Sequence, residues 1–169
     1  RERRPVRKVL APVTPGRNTR RVVKMAVSMA RAGDDGPASI TLLHILPQEA
    51  RTADRVRAEQ VFQYALEGID YEHVETKMVE GTDVVDTVLE QAQGHDLIVM
   101  GATEENLFRN VLIGNIAEQI ARQAEVTTII VKRRSSPLHS LLRQTVLEPT
   151  ANQRAEEEPT SKVCEVENG

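Results

Sequence analysis

The chain is poor in aromatic residues, with two Phe, two Tyr and no Trp among 169 residues. Modules that grip nucleic acid by stacking bases on aromatic faces have little to work with here. The lone cysteine, Cys164, excludes an internal disulfide and a cysteine-based zinc site, and fits a reducing cytosol. No apolar run approaches the roughly 20 residues needed to cross a bilayer, and no signal-peptide pattern is present. A net charge of −3 supplies no global field toward DNA or a membrane. His73, His95 and His139 show no i, i+4 pairing and no carboxylate at metal-ligand spacing, while His44 lies inside an apolar run and reads as structural. The serines lack a G-x-S-x-G elbow, and no nucleophile, base and oxyanion hole assemble. Catalysis is not expected.

What the chain does have is aliphatic. Forty per cent of its residues are hydrophobic, and the length suits one domain with a core built from Val, Ile, Leu, Met and Ala. Five strand signals alternate with helical ones. The runs "VRKVLAPV" (6–13), "ASITLLHILP" (38–47) and "DLIVMGA" (96–102) are nearly continuous, as buried parallel strands are. "VETKMVEG" (74–81) alternates, like an edge strand with one wet face, and "VTTIIVKRR" (126–134) is the last.

Between them, residues 17–33 place Val22, Val23, Ala26, Val27, Met29 and Ala30 on one helical stripe, with Gly33 as a C-cap. Residues 51–69 form a second amphipathic helix anchored by Val56, Phe62, Ala65 and Leu66. Residues 82–96 form a third, capped by Thr82 or Asp83, with the stripe Val84, Val85, Val88 and Leu89. "NIAEQIARQAE" (115–125) is the fourth. Strand and helix alternating at this spacing mean right-handed βαβ crossovers and a doubly wound α/β fold, a five-stranded parallel sheet with helices on both faces.

The ends differ in character. Five of the first eight residues, "RERRPVRK", are Arg or Lys. They read either as a solvated basic lead (1–5) or, in a chain without an initial methionine, as the cytoplasmic edge of a preceding membrane segment. Residues 6–133 form the expected domain. Residues 134–149 make a short amphipathic extension, and the acidic residues 150–169 read as a disordered tail. Asp34-Asp35-Gly36 is turn chemistry.

In "LIVMGATEENLFRNVLIGNIAEQIARQ" (97–123), a strand leads through a glycine and a polar loop to a second glycine and a helix. Open α/β sheets bind ligands beyond the carboxyl ends of their strands, and helix N-termini attract anions. Together with "VRKVLAPV", "ITLLHILP", "MVEGTDVVDTVLEQA" and "HDLIVMGA", this stretch resembles the universal stress protein family over about residues 6–133. The resemblance implies the strand order 3-2-1-4-5. It also implies a nucleotide loop of the pattern Gly, two residues, Gly, nine residues, Gly, then Ser or Thr, and an Asp closing the first strand.

Carried over by position, Gly101 and Gly114 match the outer glycines and Asn115 stands at the hydroxyl position. Glu104 replaces the middle glycine, Glu105 a position often basic in the family, and Thr14 the Asp. Two carboxylates repel a triphosphate: at about 4 Å each charge pair costs on the order of 1 kcal/mol in water and about 4 near a protein surface. Arg17 or Arg109 would offset part of this. The ordinary ATP mode is thus impaired, while an adenine-sized slot survives. Its expected lining is Pro12, Val13, Thr14, Leu43, Ile45, Gly101, Ala102, Glu104, Gly114, Asn115 and Ile116.

The last strand is a second expected surface, with Val126, Ile129, Ile130 and Val131 pairing two copies into a homodimer, as family members pair. The resemblance is sharpest with domains fused behind amino-acid permeases and ion channels or exchangers, where a similar loop and a "VKRR…SPL…LLR" ending occur. It implies a non-catalytic regulatory domain, cytoplasmic and covalently linked to a membrane transporter, with an adenine nucleotide as the ligand and no nucleic acid partner. The alternative is a freestanding stress protein that does not bind ATP and acts through protein partners.

Overall fold

The computed structural model describes residues 5–33, 36–102 and 116–132, all within the compact unit Arg1–Arg133. Residues 1–4, Asp34-Asp35 and everything from Arg133 onward, including the expected extension and tail, lie outside the described residues. Strands β1 (Lys8–Pro12), β2 (Ser39–Leu46), β3 (Val74–Glu80), β4 (Leu97–Gly101) and β5 (Thr127–Val131) alternate with helices α1 (Thr19–Arg31), α2 (Thr52–Leu66), α3 (Val84–Gln91) and α4 (Ile116–Gln123). The strands form one parallel sheet in the order β3-β2-β1-β4-β5. The fold expected from the sequence is the one observed.

Side chains alternate across a strand, so the continuous apolar runs feed two cores at once. Val9, Ala11, Ile40, Leu42 and Val99 face one side, against Val22, Val23 and Ala26 of α1 and Phe62 and Ala65 of α2. Leu10, Leu43, Ile98 and Met100 face the other, against Val85 and Val88 of α3 and Ala117 and Ile120 of α4. Most of these side chains are fully buried, and each buried Val, Leu, Ile, Met or Phe contributes about 1.5–3 kcal/mol. His44 is structural as expected: its Nδ1 donates to the Val13 carbonyl at 2.8 Å, and its ring meets Phe62 edge-on.

Three local readings are corrected or sharpened. Val56 is 47% exposed rather than an anchor of α2, because the buried stripe runs through Ala58, Val61, Phe62 and Ala65 and position 56 falls off it. Gly33 does not end α1 in a left-handed turn; Ala32 closes the helix with its N–H on the Met29 carbonyl, at ordinary helical dihedrals. Of the two cap candidates before α3, Asp83 is the cap, its Oδ1 accepting from the Asp86 N–H at 2.9 Å.

Candidate functional site

β1 and β4 are neighbours at the point where strand order reverses, so the chain leaves them toward opposite faces of the sheet. A cavity of about 400 Å³ opens there, within the range of about 300–1,000 Å³ typical of small-molecule sites. Its walls are largely apolar. Pro12 and Val13 come from β1 and its exit, Leu43 and Ile45 from β2, and Met100, Gly101 and Ala102 from β4 and its exit. Val22 of α1, Val84 and Val88 of α3 and Ile116 of α4 complete them. The polar lining is concentrated in one loop, Thr14 to Thr19, with Arg17 exposed.

That loop is held at both ends. Gly16 takes a positive φ of 154°, and its carbonyl accepts from the Thr19 N–H at 3.3 Å while the Thr19 hydroxyl donates to the Thr14 carbonyl. The Asn18 carbonyl accepts from both Arg21 and Val22 N–H at 3.0 Å, opening α1. The Asn18 side chain makes no helix cap; its Nδ2 lies 3.5 Å from the Ala102 carbonyl, spanning from the β1 exit to the β4 exit. Gly101 stands between them, where a Cβ would lie 3.5 Å from Asn18 Cβ and Val22 Cγ2, an ordinary contact. Glycine is thus not sterically demanded at position 101; it leaves the backbone bare toward the cavity.

Val13 has little left to offer a ligand through its backbone. Its N–H donates to Leu43 at 2.8 Å and its carbonyl accepts from His44. What remains at this position is an apolar wall, suited to a flat ring rather than to a polar chain.

Of the eleven residues expected from the sequence, Pro12, Val13, Thr14, Leu43, Ile45, Gly101, Ala102 and Ile116 are brought together around this cavity. Glu104, Gly114 and Asn115 lie outside the described residues, as do Glu105 and Arg109. Asn18 closes the loop "PVTPGRN" (12–18) expected after the first strand, whereas Thr19, Val22, Val84, Val88 and Met100 were not foreseen. Val22, Val84 and Val88 read simply as core stripe, and only the position of α1 and α3 at the switch point assigns them to a cavity. Among the described residues, no group of three or more His, Asp or Glu side chains is placed to hold a metal ion.

The expected pairing surface sits at a sheet edge, since β5 is the outer strand beside β4. Val126, Ile129, Ile130 and Val131 are all partly buried. Ile129 and Val131 pack on the α1–α2 core, and Val126 and Ile130 on the α3–α4 core, so these side chains already serve the fold.

The model of the universal stress protein family matches residues 5–132. No curated protein sequence matches the chain significantly. Among solved structures, the universal stress protein UspA from Lactobacillus plantarum is similar with a TM-score of 0.61 and 19% identity, over 76% of this chain and 99% of that one. A universal stress protein in complex with cAMP is similar with a TM-score of 0.56 and 20% identity, over 76% and 98%. The universal stress protein from Archaeoglobus fulgidus in complex with dAMP is similar with a TM-score of 0.57 and 20% identity, over 75% and 98%. At these identities the solved structures speak for the fold, and the family match covers nearly all of the compact unit. The chain belongs to the universal stress protein family.

Proposed function

We propose that this domain is a non-catalytic sensor that takes an adenine mononucleotide into the cavity between β1, β2 and β4. The observation that carries the reading is the cavity itself: a slot of about 400 Å³ with apolar walls on three strands and a polar loop along one side. A purine fits such walls by area burial, and the loop from Thr14 to Thr19 would meet the sugar and phosphate side. Two similar structures carry cAMP and dAMP, ligands with a single phosphate. Glu104 and Glu105 disfavour longer polyphosphates, and their repulsion falls with each phosphate removed.

The finer reading is that the domain is the cytoplasmic part of a membrane transporter and relays occupancy of the cavity through pairing along β5. It rests on the resemblance of the "GATEEN" loop and the "VKRR…SPL…LLR" ending to transporter-fused members. A ligand biases such a parent only through different affinities for its two states. Among the described residues, no helix is long and apolar enough to cross a membrane. The upstream reading frame decides this point: a series of long apolar segments supports the fusion, and a start codon within a few residues overturns it.

Calorimetric titration with ATP, ADP, AMP and cyclic AMP, with and without magnesium, tests the sensor reading. Saturable binding of a monophosphate, tighter than ATP, is expected. No heat from any of them overturns nucleotide sensing and favours a module that acts through protein partners.

A further inference from the structure

Charge is distributed unevenly along this chain. Between positions 3 and 33 there are nine Arg or Lys and no Asp or Glu, although the whole chain carries 25 acids against 22 bases. Much of that excess falls on α1 and the loop before it. Arg21, Lys24 and Ser28 of α1 recur at intervals of three and four, so they share one helical face, and Arg17 lies in the loop just before it; all four are exposed. Met25 lies on the same face and is 36% exposed.

Neighbouring cations are already engaged. Arg20 pairs with Glu67 at 3.3 Å and lies over the Tyr64 ring, and Arg31 donates to the Asp70 carbonyl and lies over Tyr71. Arg17, Arg21 and Lys24 form no ion pair among the described residues. Their placement works against the helix, because cations spaced by three or four repel and the first turn, at the positive end of the helix dipole, holds no acid.

We propose that the outer face of α1 docks on the anionic surface of a lipid bilayer. Arg21 and Lys24 stand on the helix, and Arg17 precedes its first residue by two positions. Arg21 and Lys24 lie outside the cavity and Arg17 stands in the loop along its wall, so one small anion held in the cavity cannot neutralise all three; an extended negative surface can. Met25, set among them, supplies an apolar side chain able to enter the boundary between headgroups and acyl chains. The opposite charge lies elsewhere: residues 78–96 carry Glu80, Asp83, Asp86, Glu90 and Asp96 with no Lys or Arg, and their helix α3 packs on the face of the sheet opposite α1. This separation turns α1 toward a negative plane and the acidic segment away from it. The docking concerns a face of the domain, and it stands whether or not the cavity takes a nucleotide.

Flotation of the full chain with vesicles tests the proposal. Binding is expected to vesicles of phosphatidylcholine with one-third phosphatidylserine, to be absent with phosphatidylcholine alone, and to fall with added salt. Arg21→Gln with Lys24→Gln, neither of which lines the cavity, is expected to weaken binding on the order of thirtyfold. Lys77→Gln with Arg122→Gln removes the same charge from β3 and α4 and is expected to leave binding within about twofold. Circular dichroism verifies that both variants fold. Equal loss in the two variants, or no binding to the anionic vesicles, overturns the proposal. So does binding of polyglutamate or a ribo-oligonucleotide that exceeds vesicle binding and is lost with Arg21 and Lys24, since α1 would then serve a soluble polyanion.

Discussion

Asp96 and Lys8 hold each other reciprocally across the amino end of the sheet. The Asp96 N–H donates to the Lys8 carbonyl at 2.9 Å, and Asp96 Oδ2 accepts from the Lys8 N–H at 2.9 Å. The same Oδ2 accepts from the Arg7 N–H, also at 2.9 Å. One carboxylate thereby satisfies the first donors of β1 at the point where it meets β4. Asp96→Ala is expected to cost about 1–2 kcal/mol in urea denaturation, the range for an exposed charge-assisted pair, with Asp96→Asn between it and the native protein. An unchanged midpoint for Asp96→Ala would show that water replaces the carboxylate without loss.

Gly81 closes β3 with its N–H on the Leu46 carbonyl at 3.0 Å, immediately before α3. A Cβ at this position would collide with Thr87 Oγ1 and come within 3.2 Å of Thr87 Cβ and Cγ2. Thr87 is buried and donates to the Asp83 carbonyl at 2.5 Å, so it has little room to retreat. Gly81→Ala is expected to destabilise by about 1–3 kcal/mol, and Thr87→Ala in the same chain to recover part of that. Additive losses in thermal melts of the double variant would contradict the contact.

His95 lies beside Thr41, its Nε2 3.3 Å from the Thr41 hydroxyl, which in turn donates to Glu75 at 2.6 Å. Burial pushes the imidazole below its ordinary value, with Lys8 and Lys77 adding to that effect and the Gln91 backbone and Glu75 opposing it. The folded state therefore binds a proton less readily than the unfolded one. Stability from this group is complete above about pH 6.5 and is lost as pH falls from there through the folded value. Urea midpoints measured from about pH 8 to about pH 5 are expected to decline, and His95→Gln to flatten the decline in that window. Equal slopes for the two proteins would assign the loss to other groups.

The three cases differ in how far the sequence announces them. The strands were legible because parallel strands buried on both faces need continuous apolar runs, and "ITLLHIL" and "LIVM" can be little else. Eight of the cavity residues were legible because strand ends are where such sheets open. Val84 and Val88 were readable only as helix core, since nothing local says that α3 stops at the rim of a cavity. The contact between His95 and Thr41 joins residues 54 apart in sequence, and Gly81 meets Thr87 only through a turn and the start of a helix. Val56 misled because valine at roughly helical spacing looks like an anchor until the true stripe through Ala58, Val61, Phe62 and Ala65 is known.

If two copies pair along β5, a charge at that edge must separate them. Ile129→Lys together with Thr127→Lys is expected to give monomers by light scattering over a concentration series, because like charges facing each other across paired edges repel. Ile129 also packs on the α1–α2 core, so circular dichroism must show a folded domain for the result to count. A folded variant that remains dimeric moves the interface away from this strand.

Glu104 offers the most direct test of the altered phosphate loop. A glycine at this position removes one negative charge and the side chain itself. Near a protein surface, a pair of unit charges about 4 Å apart is worth about 4 kcal/mol, and solvent access reduces that toward 1. Glu104→Gly is therefore expected to strengthen ATP binding by about tenfold or more while changing AMP binding much less, because the repulsion grows with the charge of the phosphate chain. Calorimetry on the two proteins with both nucleotides reads the difference directly. An equal gain for AMP and ATP would mean that glycine acts through backbone freedom and not through charge. No gain for either would place residue 104 away from the ligand, and the pattern of glycines carried over from the family would then no longer describe this loop.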